Sequence, residues 1–130
     1  MSYDVAIVGA SIAGCTAAKL FGERGARVAL IEKRPDPNAY KTVCTHYIQP
    51  SATPVIEKLG LVPALEERGA IHNALDLWTP YSGWIRSLPD EPYGYNVTRQ
   101  TLDPLLRSTA AEAPGVELLT GKTVTGVTVD

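Results

Sequence analysis

A glycine-rich turn placed between an apolar strand and a small-residue helix constrains this chain more than any other feature. Residues 3–8 (YDVAIV) form a short apolar run with β-branched residues, the pattern of a strand buried on both faces. Gly9-Ala10-Ser11-Ile12-Ala13-Gly14 follows at once, and residues 15–23 then read as a helix on which Ala13, Ala17, Leu20 and Phe21 share a face. Gly22 and Gly25 supply the stop. Residues 28–31 (VALI) form a second buried strand that ends on Glu32. Strand, tight turn, helix and strand in about 30 residues make a βαβ unit. The predicted fold class is α/β: a Rossmann-like βαβ with a three-stranded parallel sheet (residues 3–8, 28–31 and 116–119), half of a doubly wound sheet, with a small antiparallel β insertion.

The chemistry of that turn is specific. Gly9 permits the tight turn, and Gly14 lets the helix lie close to the strand. The opening of the helix, including Ile12 and Ala13, offers backbone N–H groups and a positive dipole end to a diphosphate. Glu32 lies 18 residues past Gly14, near the spacing of a carboxylate that binds an adenosine ribose. Ser11 stands where the motif has its middle glycine; it is small, and its hydroxyl can donate to a phosphate oxygen. A carboxylate on the ribose repels a 2′-phosphate, so NADP is not the preferred ligand of this turn. The adjoining Lys33 and Arg34 read either as a solvated loop or as cations serving the nucleotide. The bland alternative is a βαβ turn that binds nothing.

Beyond Glu32 the regularity fails. Residues 33–50, punctuated by Pro35, Pro37 and Pro50, read as a long loop. Helices are expected near 54–59 and 63–68, strands at 71–78 and 83–87, an extended stretch at 93–98, and a helix carrying Leu102, Leu105, Leu106 and Thr109 on one face. Pro104 is tolerable there only in the first turn. Strands are expected at 116–119 and 123–129. The domain reading is a βαβ unit (1–34), a loop and helical segment (35–70), a β insertion (71–98), and a helix with strands (99–130). Arg99, just before a helix, gains nothing from the dipole; its partner is an anion or a carboxylate, or it belongs to a surface ion pair.

Composition excludes several classes. With 12 Lys+Arg and 14 Asp+Glu the net charge is −2, which gives no electrostatic case for nucleic acid or an anionic membrane. No apolar run approaches the length of a membrane-spanning helix, and no secretory signal opens the chain, so a cytoplasmic location is expected. Cys15 and Cys44 imply no disulfide framework; Cys15 reads as a buried small hydrophobe. His46 and His72 stand without metal-ligand spacing, so no metal is expected. His46 reads as a loop residue and His72 as structural. Trp78 and Trp84 are either core or the wall of a substrate cavity. No side chain stands out as a catalytic acid or base.

Three stretches together carry a family resemblance: DVAIVGASIAGCTAA with IEKR behind it, KTVC followed by IEKLGL, and VTRQTLDPLL followed by PGVELLTGKTVTGV. The chain resembles the N-terminal FAD-binding portion of FAD-dependent monooxygenases of the aromatic-hydroxylase type, in the wider group with flavin-dependent halogenases and geranylgeranyl reductases. The resemblance implies FAD, with the diphosphate on Gly9, Ser11 and Gly14 and the ribose on Glu32. It also implies that Arg99, from an R-x-x-L-D motif, lies along the FAD, and that Val124 and Thr125 touch the adenine through their backbone. Arg34 and Lys33 follow the ribose acid, and Lys41 with Cys44 matches a K-x-C pattern near the flavin, here with one residue extra. The implied activity is that of a monooxygenase using NAD(P)H and O2 to oxygenate a small organic substrate through a flavin C4a-hydroperoxide. A double-bond reductase, a halogenase, or a non-catalytic dinucleotide-binding module remain alternatives. Members of the family are about three times as long. The chain is therefore expected to be one part of a flavoprotein, inactive alone, with an open sheet edge that favours self-association.

Overall fold

The computed structural model describes residues 2–86, 88 and 92–129; Ser87, the expected end of a strand, lies outside them, as do both terminal residues. In chain order the elements are β1 (Val5–Val8), α1 (Ile12–Gly22), β2 (Val28–Glu32), β3 (Tyr47–Ile48), a 3-10 turn (Pro50–Ala52), α2 (Thr53–Lys58), α3 (Val62–Glu67), β4 (Ile71–Asn73), β5 (Leu77–Thr79), β6 (Gly83–Ile85), β7 (Gly94–Asn96), α4 (Arg99–Ala111) and β8 (Val116–Thr120). They fall into two compact units, Met1–Thr42 with Arg99–Asp130, and Val43–Thr98.

The first unit is the expected α/β arrangement. Its sheet runs β1-β2-β8, and both pairings are parallel. β2 lies in the middle, and Val28 and Leu30 are fully buried, which is why that strand reads as an unbroken apolar run. α1 and α4 pack on each other and against the sheet. Small side chains make α1's close approach possible: Cys15 and Ala18 are buried against their neighbours.

Two expectations change in this unit. α4 starts at Arg99, so Pro104 sits in its second turn and forfeits the N–H that would reach back to residue 100. Burial outweighs that loss: Leu102 and Leu106 are almost fully enclosed, and each contributes roughly 1.5–3 kcal/mol. The strand expected at 123–129 does not form. Those residues find no pairing partner among the described residues, and Val127 and Val129 stand in solvent. An alternating pattern makes a strand only where a neighbour supplies the ladder.

The second unit holds a three-stranded antiparallel sheet, β3-β7-β4, and a separate β5–β6 hairpin. The strand expected over 71–78 is two strands with different partners: Ile71–Asn73 pairs with β7, and Leu77–Thr79 with β6. The alternation had no single buried face behind it, since Ile71, Leu75 and Leu77 are all exposed. Ile56, Leu59, Leu61, Leu65, Tyr95 and Val97 form the core. His72 stacks on Tyr93 at 3.7 Å, with Tyr95 edge-on to it at 5.1 Å. Burial, then its neighbours Tyr93 and Glu66, push the Tyr95 phenol up. Trp78 and Trp84 face each other across the hairpin and are more than half exposed, so neither is core within this unit. Among the described residues no helix is long and apolar enough to cross a membrane, and no cluster of three or more His, Cys, Asp or Glu has the spacing to hold a metal ion.

Candidate functional site

The glycine turn leaves β1 at Gly9, whose N–H donates to the Ile31 carbonyl at 2.7 Å and whose φ is +101°. That left-handed backbone is favourable only for glycine. At Gly14 the requirement is one of space: a Cβ there would lie 1.9 Å from the Gly9 carbonyl oxygen. The absent side chain is what lets α1 start directly above the strand. Ser11 is the N-cap in extended conformation, and the Cys15 N–H donates to its carbonyl at 2.9 Å. The N–H groups of Ile12, Ala13 and Gly14 precede that first intrahelical bond, so the helix itself gives them no acceptor. They form an anion-binding end with the dipole behind them.

Glu32 closes the other side of the turn. One carboxylate oxygen accepts from the Ala10 N–H and the other from the Arg34 N–H, each at 3.0 Å. Burial pushes this carboxyl up. The N–H groups of Arg34 and Ala10 and the charges of Arg107 and Arg34 push it down further, so the net position is below the ordinary carboxylate range. Each oxygen has another lone pair for a hydroxyl donor.

Beneath the turn lies a buried charge network. Arg99 grips Asp103 with two bonds, Nε to Oδ1 at 2.6 Å and Nη2 to Oδ2 at 3.1 Å, and also donates from Nη2 to the Ser11 hydroxyl at 2.9 Å. Asp103 takes a further bond from the Lys41 N–H at 3.0 Å. Arg107, 2 % exposed, donates to the carbonyls of Ala10 (2.8 Å), Pro37 (2.7 Å) and Ala39. The Cys15 thiol nearby is pushed up to about 12, chiefly by burial.

The structure thus brings Gly9, Ser11, Ile12, Ala13, Gly14, Glu32 and Arg99 to one place. Arg99 has a carboxylate partner, and the pair is buried, not a surface one. Lys41 and Arg34 join through their backbone N–H groups, while the side chains of Lys33, Arg34 and Lys41 are exposed. Val124 and Thr125 lie in the irregular stretch after β8, which starts beside the acid: the Lys122 N–H donates to the Glu32 carbonyl at 3.0 Å. Asp103 and Arg107 escaped the sequence reading. Their signal was present, because with Arg99 they recur every fourth residue beside the apolar Leu102 and Leu106, where a charge needs a partner. A groove of about 250 Å³ lined by Tyr3, Arg27 and Glu117 sits at the N-terminal ends of the strands, the end that open α/β sheets do not use for ligands. Its polar groups are already paired, Arg27 with Asp4 at 2.9 Å and Tyr3 with Glu117.

Residues 2–130 match the model of the family described as "FAD binding domain". The chain belongs to this FAD-binding family. The family's cofactor suits the donor set, in which the N–H groups at the start of α1, held close to the strand by Gly14, lie beside the Glu32 carboxylate. Among solved structures, the FAD binding domain is similar to PqsL, a probable FAD-dependent monooxygenase from Pseudomonas aeruginosa. The two are 23% identical with a TM-score of 0.78, over 98% of this chain and 35% of that one. It is similar to the flavin-dependent brominase Bmp2 at 26% identity and a TM-score of 0.80, over 98% and 31% of the two chains. A geranylgeranyl bacteriochlorophyll reductase-like protein from Thermoplasma acidophilum aligns at 23% and 0.74, over 98% and 32%. The chain spans about a third of the length of these structures. Comparison with curated proteins gives no match.

Proposed function

We propose that residues 1–130 form the N-terminal part of the FAD-binding domain of a flavoprotein monooxygenase. In this reading NAD(P)H is the reductant, O2 the oxidant and a small organic molecule the substrate. The observation that carries it is the 3.0 Å bond from the Ala10 N–H that ties Glu32 to the glycine turn, which supports a nucleotide held between the helix start and this carboxylate. Gly9, Ser11, Ile12, Ala13 and Gly14 hold the diphosphate, Glu32 takes the ribose hydroxyls, and Arg99 lies under the diphosphate. Lys33, Arg34 and Lys41 supply a cationic rim, and the backbone of Val124 and Thr125 borders the adenine. Bound FAD supplies hydride acceptance and reactivity towards O2; the chain's own groups bind and orient it. The protein works in the cytoplasm, and residues 1–130 alone, with β1 at the end of the sheet, self-associate through that edge.

Purified full-length protein should carry flavin absorbance and oxidise NAD(P)H with oxygen consumption. Colourless protein that binds NADP more tightly than FAD would refute the reading. The similarity to Bmp2 favours a second outcome, halogenation, recognised by product formation that depends on added bromide.

A further inference from the structure

Resting on the reading that the FAD diphosphate lies at the start of α1, we infer that Arg99 acts through Ser11. It draws the serine hydroxyl away from capping the helix and turns the hydroxyl proton towards the diphosphate. A serine at an N-cap normally accepts a bond from the second or third N–H of its own helix. Ser11 makes no such bond; its oxygen accepts from Arg99 at 2.9 Å.

A guanidinium has donors only, so the direction of that bond is fixed and the hydroxyl proton points elsewhere. Two things follow for an anion at this helix. The N–H groups that a serine cap would occupy stay open, and one more donor is added beside them. Arg99 is held for this task. It is 6 % exposed, gripped on two nitrogens by Asp103, whose position the Lys41 N–H fixes in turn. Since Asp103 matches its charge, the arginine contributes mainly geometry. Ser11 has φ −106°, ordinary for any L-residue. Serine therefore replaces the middle glycine without backbone strain, and its hydroxyl offsets whatever closeness of approach its Cβ costs.

The test is a double-mutant cycle on FAD affinity in the full-length protein, read by quenching of flavin fluorescence, with thermal melting alongside. Ser11→Ala should weaken FAD about tenfold, one bond to a charged group. It should lower the melting temperature only slightly, since no cap is lost and Arg99 keeps both bonds to Asp103, and should shift the phosphorus NMR signals of bound FAD. Arg99→Met should weaken FAD by at least as much when Ser11 is present, and by less than about threefold in the Ser11→Ala background. Because Arg99→Met leaves Asp103 buried and unpaired, Arg99→Met/Asp103→Leu is measured in both backgrounds as well. Equal losses from the arginine in the two backgrounds would mean that it contacts the cofactor itself, and would overturn the inference. Unchanged affinity in Ser11→Ala would overturn it while leaving the FAD reading intact. Folded wild-type protein that binds no FAD would overturn both.

Discussion

Arg107→Met removes a cation that donates to three backbone carbonyls, and the burial of those carbonyls sets most of the cost. Ala10 is fully enclosed, so no water replaces the lost donor and its carbonyl loses about 1–3 kcal/mol. Pro37 is exposed and Ala39 half-buried; their carbonyls turn to solvent and lose about 0.5–1.5 kcal/mol each. Methionine keeps most of the apolar stem, so the cavity contribution is small. The sum is about 2–6 kcal/mol, a large part of the roughly 5–15 kcal/mol that holds a domain together. At about 4 °C per kcal/mol the melting temperature should fall by ~8–24 °C. Circular dichroism melts at neutral pH give that number, and hydrogen exchange should show residues 37–41 losing protection first. Arg107→Lys should fall between, since one ammonium cannot span three carbonyls. A drop below ~2 °C, or destabilisation with no change in exchange at 37–41, would show that the three bonds do not carry the loop.

Other outcomes follow from neighbouring geometry. Gly14→Ala gains about 1 kcal/mol in helix propensity but drives a methyl into the Gly9 carbonyl, 1.9 Å away. Backbone cannot step aside as a side chain does, so a net loss of about 2 kcal/mol is expected in urea unfolding, with FAD affinity falling in parallel. The Cys15 thiol, pushed up to about 12, should resist a maleimide in the native protein while the half-buried Cys44 reacts; mass spectrometry after a short pulse separates the two. The Glu32 carboxyl lies below its ordinary range when folded. Its stabilising contribution is thus present above the unfolded value and lost as pH falls through the lower folded one; FAD affinity should hold at neutral pH and decline only below the ordinary carboxylate range. The Asp4 carboxyl, lowered to about 2 by its bonds to Arg27, should titrate there by NMR. Arg27→Ala should return it towards 4, the ordinary value.

The nucleotide-binding half of the fold was legible because each of its signals is local. Gly9, Gly14 and Glu32 are separated by one strand, one turn and one helix, so their spacing alone brings them together. The four-residue spacing of Arg99, Asp103 and Arg107 marked buried charge on α4, but what Asp103 and Arg107 hold was not legible. Their partners, Lys41, Ala10, Pro37 and Ala39, lie 62 to 97 residues away, and no local pattern records such pairings. The same distinction explains the strands. Those enclosed between neighbours announced themselves as apolar runs, whereas residues 71–78 and 123–129 alternate without a buried face to justify it.

The register of the parallel sheet also sets where the Glu32 carboxylate stands. β2 meets β1 with Val5 opposite Val28 and meets β8 with Glu32 opposite Thr120. Because successive side chains point to opposite faces, sliding β2 by a single position would swing the carboxylate to the far side of the sheet. With Glu32 on the ribose, as proposed, discrimination between a bare ribose and a phosphorylated one would rest on the alignment of backbone amides along an entire strand, well away from any atom the nucleotide would touch.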